Sequence, residues 1–247
     1  MKFPSDSKDL IEIRFASTIL KNFPYYADFW EEFIGYDKTK KILSPFPLKF
    51  PKGMHKQTQQ LITQNHEQIA IHYYSIFCGL SGAHFQIEKA SEALKEKDKG
   101  KKHFLFWEAF GNFYMHIGNT RYYLMKLWEE ARKLLCLPKT SIEDLLSGNA
   151  KLKEQYTDIK NNTLQTRHNL VHYARNSYAI LEKKYWIPFP PPKNPKNIML
   201  NKTKLKDATE QMESDLKDME IFLNSIMHII KNKLYIHFTQ NNIKIVR

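Results

Sequence analysis

The chain has 247 residues, 42% of them hydrophobic, which is enough to bury a sizeable core and excludes a disordered tail protein. Eight glycines against 16 phenylalanines, 13 tyrosines and 4 tryptophans argue against a turn-dense β sandwich, which needs glycine at many positive-φ positions. The formal charge of +12 is concentrated in residues 101–200, where 16 Lys/Arg face 8 Asp/Glu, and such a field attracts polyanions, nucleic acid first, or else marks a Lys-rich solvated surface.

Met1 to Leu10 shows no charged region followed by an apolar one. The longest mostly apolar run, Ile69 to Leu80, is short and carries His72. A soluble, cytoplasmic protein without a membrane span is expected. Leu10, Ile13, Ala16 and Leu20 predict a first helix within an N-terminal extension, residues 1–55, punctuated by Pro45, Pro47 and Pro51. A second, long helix carries Ile62, Ile69, Tyr73, Ile76, Leu80, Ile87 and Leu94. The small residues Gly79, Ser81 and Gly82 at its middle would admit a neighbouring backbone. The third helix has the strongest period: Phe106, Phe110, Phe113, Ile117, Thr120, Leu124, Leu127, Ala131 and Leu134 alternate spacings of four and three before Pro138 stops it.

A turn of helix near Ile142 to Leu146 precedes a fourth long helix, from about Lys151 to Tyr185. After the Pro-rich loop PFPPPKNP, Asn201 or Thr203 caps a fifth, with Leu205, Ala208, Met212, Leu216, Met219, Leu223, Ile226 and Ile230 on its stripe. Ile243 to Val246 alternates like a short strand. The expected fold is a single all-α domain over residues 1–247, a bundle of about five helices. Cys78 and Cys136 lie far apart in apolar stretches and read as buried, inert thiols rather than a disulfide or zinc framework.

The residues that could carry chemistry cluster in Asn161 to Asn176, NNTLQTRHNLVHYARN. On a helix, Leu164, Arg167, Leu170, Ala174 and Leu181 follow core spacing, whereas Gln165, His168, Asn169, His172 and Asn176 form a polar face without a Lys or Glu. Solvated helix faces are usually filled by Lys and Glu, so this one is suited to meet something. Arginine on an apolar stripe costs several kcal/mol unless it finds an anion. A phosphate would be such a partner.

The run Arg167-His168-Asn169-Leu170-Val171-His172 resembles the arginine–polar–histidine motif of HEPN domains, which are also helical bundles with the motif on a late helix. The resemblance implies a metal-independent endoribonuclease without a cofactor. It also implies a homodimer in which the motifs of two protomers meet in one cleft, and a setting in toxin–antitoxin or antiviral defence. RNA is the implied substrate, and an antitoxin or a small nucleotidyltransferase the implied partner. It carries Arg167 and His172 over as catalytic, with His168 in the polar position and Asn169 beside it.

The residue types fit that chemistry. Attack of an RNA 2′-hydroxyl on the adjacent phosphate needs a group that accepts a proton near neutral pH, a role suited to His172. The developing phosphorane gains negative charge, which the Arg167 guanidinium can meet with two parallel hydrogen bonds. Positions five apart are 140° apart around a helix, so these two side chains must converge through arginine's length or across a dimer.

Around the motif, Lys160 to Lys196 holds seven basic residues and one acid, Glu182. Lys160, Arg175, Lys183 and Lys184 are therefore candidate RNA contacts. Glu108 and Asn112, with Asn119 and Lys126, form a polar face on the third helix that could line a cleft opposite the motif or simply be solvated. Trp107, Tyr114, Tyr122, Tyr123 and Trp128 are expected to pack rather than stack on bases. Tyr185, Trp186 and Phe189, ahead of the prolines, could form a clamp or an ordered crossover.

A second reading of the same residues is a non-catalytic module of that fold that binds RNA, a nucleotide or a protein; a third uses His168 and His172 as an i,i+4 metal pair, as in metal-dependent helical hydrolases of the DinB type, with His66 or His84 as a third ligand. Gly-rich phosphate loops, G-x-S-x-G, H-E-x-x-H and CxxC are absent from the sequence.

Overall fold

The computed structural model describes residues 15, 18–19, 24–37, 42–161, 180–181, 184–188 and 202–246. Its helices are α1 (Pro24–Phe33), α2 (Lys56–Ala93), α3 (Lys99–Leu134), α4 (Ile142–Leu145), α5 (Ala150–Ile159) and α6 (Leu205–Gln240). Short strands accompany them: β1 (Ile34–Asp37), β2 (Ile42–Pro45), β3 (Leu48–Lys49), β4 (Ile180–Leu181), β5 (Lys184–Pro188), β6 (Lys202–Lys204) and β7 (Lys244–Ile245). The fold class is all-α, as the periodicity predicts, and five of the described helices have ten residues or more.

The apolar stripes are what make these segments helical and hold them. Every residue of the α3 stripe from Phe106 to Leu134 is buried, and so is the α6 stripe from Ala208 to Ile230. Each large apolar side chain so covered stabilises the fold by roughly 1.5–3 kcal/mol. On α2 the stripe is buried from Ile62 to Leu80 and becomes half-exposed at Ile87 and Leu94.

Two compact units divide the chain, one of residues 1–78, 120–153 and 220–247, the other of residues 79–119 and 154–219. In the first, Phe29 of α1 stacks on Phe33 and on Tyr73 of α2, with ring centroids 4.8 and 4.9 Å apart. Asn224 accepts a hydrogen bond from the Tyr25 N–H, which serves the start of α1, and Lys231 reaches Asp28 and Glu32. The hairpin β1–β2 follows α1, and β3 pairs with β7 through Leu48↔Ile245 and Lys49↔Lys244. Pro24 at the first position and Phe29 with Phe33 one turn apart explain why α1 forms, although aliphatic periodicity alone did not predict it. The terminal strand at Ile243 to Val246 is found as β7.

In the second unit, β4, β5 and β6 form an antiparallel sheet with Ile180↔Tyr185 and Ile187↔Thr203 in register. This corrects two expectations. The fourth helix does not run to Tyr185, because Lys184 to Pro188 is a strand. Tyr185, Trp186 and Ile187 favour extended backbone, and the residue before Pro188 disfavours the helical region. Thr203 is not the cap of α6 but pairs in β6, and the helix opens at Leu205. Leu10, Ile13, Ala16, Leu20 and Asn201 lie outside the described residues.

At Gly82 the small-residue stretch of α2 works differently from the expectation. A Cβ added at Gly82 would collide with the His116 imidazole of α3, so the space admits a ring rather than a backbone. Burial there pushes the His116 pKa down.

Both α3 and α6 end on a residue in the left-handed region, Cys136 at φ 55° and Asn242 at φ 51°. The Leu137 N–H reaches back to Arg132 O at 2.9 Å, and the Ile243 N–H to Phe238 O at 2.9 Å, the bonds of a Schellman ending. Asparagine tolerates that conformation, but cysteine does not do so readily. Cys136 is exposed and Cys78 half-buried, so the expected burial of both thiols is corrected.

Two measurements follow from this packing. Cys136→Gly should raise stability by about 1 kcal/mol in chemical denaturation, because glycine removes the left-handed penalty. His66, buried against Phe33 and Phe238, has its pKa pushed down to about 4 by that burial. The unfolded chain therefore binds the proton first. Stability is full above pH 6.5, declines through the window down to 4, and should fall by about 2 kcal/mol at pH 5, a loss that His66→Leu abolishes.

Candidate functional site

Six of the sequence-predicted residues, Arg167, His168, Asn169, His172, Arg175 and Lys183, lie outside the described residues. Lys160 is exposed just beyond α5, and Lys184 opens β5 opposite Leu181. Glu108 and Asn112 are exposed one turn apart on α3 and line a cleft whose other wall is α2; the motif they were expected to oppose lies outside the described residues.

That cleft is a groove of about 840 Å³ in the second unit, between the last turns of α2 and the first turns of α3. Helical spacing puts Phe85, Lys89 and Ala93 on one side, and Leu105, Glu108, Ala109 and Asn112 on the other. Phe85 is half-buried, with the Lys89 ammonium 5.4 Å from its ring centre. Lys89 is also tied to Glu92 at 2.9 Å, and Lys101 to Glu96 at 2.7 Å. The Lys101 ammonium, followed by the backbone N–H groups of Asp98 and Lys97, holds the Glu96 carboxyl below its usual range. Gln86, Asn112, Glu108, Lys95 and Lys97 also line the groove and bring it amide, carboxylate and ammonium groups.

Deeper in the same unit the Tyr114 hydroxyl donates to Asp215 Oδ2 at 2.8 Å, and Gln211 Nε2 donates to Oδ1 at 2.7 Å. Tyr114 and Asp215 are buried, and burial, then the Asp215 charge, raises the tyrosine pKa well above its ordinary value. The phenol thus stays protonated and keeps donating. This pair was missed in the sequence, yet a signal exists: Ala208, Met212, Asp215, Met219 and Phe222 are spaced by four and three, with an acid where an apolar residue belongs. Phe85 and Gln86 of the groove were missed as well, because they flank the α2 stripe rather than break it.

Of the aromatics expected to pack, Tyr114 and Trp128 are buried, and Trp107 and Tyr123 are half-buried. Tyr122 departs from the expectation. It is 53% exposed, with the Lys126 ammonium 6.0 Å from its ring centre. Of the histidines proposed as a third metal ligand, His66 sits among aromatic rings in the first unit and His84 is half-buried in the second. Among the described residues, no three His, Cys, Asp or Glu side chains are grouped to hold a metal, and no helix is long and apolar enough to cross a membrane.

Comparison of the chain with protein-family models, curated proteins and solved structures found no match.

Tyr114→Phe should cost roughly 1.5–3 kcal/mol of stability, the range for a hydrogen bond to a buried charge, as read from urea denaturation.

Proposed function

We propose that this chain is a metal-independent endoribonuclease of the HEPN type that works as a homodimer, with Arg167 and His172 at its reaction centre. The observation that carries the reading is the hexapeptide Arg167 to His172, an arginine and a histidine with amide and imidazole neighbours, in a chain of all-α fold. The formal charge of +12 agrees with a polyanionic substrate.

In the proposed reaction His172 takes the proton from the 2′-hydroxyl as its oxygen attacks the adjacent phosphorus. The 5′-oxygen of the next nucleotide leaves, and a proton delivered from the second motif of the dimer neutralises it. Arg167 meets the charge that builds on the non-bridging oxygens. Lys160, Arg175, Lys183 and Lys184 hold the flanking phosphates, a sequence-independent and salt-sensitive contribution. A ribonuclease of this kind suits a toxin or antiviral role, held in check by an antitoxin or modified by a small nucleotidyltransferase.

The test is cleavage of structured cellular RNA by purified protein in excess chelator, with Arg167→Ala and His172→Ala beside the wild type. The expected outcome is cleavage that survives the chelator and falls by roughly 10²–10⁴ in each variant, the range for loss of one acid/base or electrostatic group. Absence of cleavage by the wild type would contradict the nuclease and leave a binding module. Cleavage abolished by the chelator would move the chemistry to a metal site.

A further inference from the structure

We propose that the groove between the end of α2 and the start of α3 is a base-recognition subsite for one unpaired guanine nucleotide of single-stranded RNA. This rests on the ribonuclease reading and names the substrate class that reading leaves open.

The size and lining of the groove argue for a nucleotide. About 840 Å³ lies within the range of sites for small ligands and leaves room for a base with its ribose and phosphate. Ala93, Leu105 and Ala109 give it an apolar floor, and Phe85 an aromatic surface of the sort on which unpaired bases stack. Lys95 and Lys97 are exposed at the turn that joins the two helices, where they can meet the phosphates on either side of a bound base.

Glu108 decides which base. An ionised carboxylate only accepts hydrogen bonds, through two oxygens set side by side. Guanine alone among the RNA bases presents two adjacent donors, N1–H and N2–H₂, on its Watson–Crick edge. Uracil sets one N–H between two carbonyls, whose lone pairs would face the carboxylate. Adenine and cytosine pair one amino donor with an acceptor nitrogen. The Gln86 and Asn112 amides, which line the same groove, can donate to guanine O6. In a duplex this edge is already paired, so the substrate must offer the base unpaired.

The experiment measures fluorescence anisotropy of labelled RNA octamers with the Arg167→Ala chain, which should bind RNA without cutting it. The octamers carry one guanosine among uridines, one inosine in its place, or uridine throughout. The expected result is about tenfold tighter binding of the guanosine octamer than of the uridine one, since a good bidentate base contact discriminates by that order. Inosine, which lacks the N2 amine, should fall between. Adding Glu108→Gln should erase the preference at an unchanged melting temperature. Adding Lys97→Glu should weaken all three octamers alike and flatten the salt dependence.

Equal affinity for the three octamers, or a preference that survives Glu108→Gln, would overturn the subsite. So would failure to bind any of the RNAs, which would leave the groove to a protein partner. Cleavage that depends on Arg167 and His172 but ignores guanine would contradict the subsite alone. Guanine preference that depends on Glu108, in a wild type that cuts nothing, would contradict the nuclease alone.

Discussion

A helix of 36 residues with an unbroken apolar stripe has to be covered along its whole length, and α3 imposes that constraint on everything around it. Its stripe alternates steps of four and three from Phe106 to Leu134, and leaving any part of it in water would forfeit the driving force that makes the segment helical. In the first unit α2 and α6 carry matching stripes, and the short α1 adds Phe29 and Phe33. In the second unit the facing turns of α2 bring small residues, and Gly82 accepts the His116 ring. Because the inner faces are committed to packing, chemistry is left to the outer faces and to the few polar groups that are buried with partners.

Those buried polar groups show what the packing tolerates. Asp215 is held by Tyr114 and Gln211, and the tyrosine's raised pKa keeps the hydroxyl a donor across the ordinary pH range. His66 is the opposite case. Its ring edges meet Phe33 and Phe238, its Nε2 has no hydrogen-bond partner among the described residues, and burial keeps it neutral. The first arrangement resists changes of pH, and the second makes the unit that contains it sensitive to acid.

Much of the fold was legible because aliphatic and aromatic residues at a 3.6-residue period have one economical solution. That period marks the buried stripe of α3, that of α6 from Ala208 and that of α2 as far as Leu80. What failed was local chemistry that periodicity does not carry. Lys184 to Pro188 looked like the tail of a helix, but three β-favouring residues ahead of a proline made a strand instead. Thr203 has the side chain of a cap, and pairing in β6 claimed it. Pro24–Phe33 hid because aromatic residues rather than leucines mark its buried face. For the candidate site, Glu108 and Asn112 were legible as a polar face, but that the face lines a groove depends on α2 turning back beside α3, which only the structure shows. Asp215 is hidden by Leu216, its apolar neighbour, through which the α6 stripe runs without a break.

The ribonuclease proposed above would use the RNA's own 2′-hydroxyl as its nucleophile, activated by His172. The ends of the cleaved RNA test that claim most directly. Mass spectrometry of the products should find a 2′,3′-cyclic phosphate on one fragment and a 5′-hydroxyl on the other. Fragments ending in a 3′-hydroxyl and a 5′-phosphate would mean that water or another external nucleophile attacked the phosphorus, and would contradict the account.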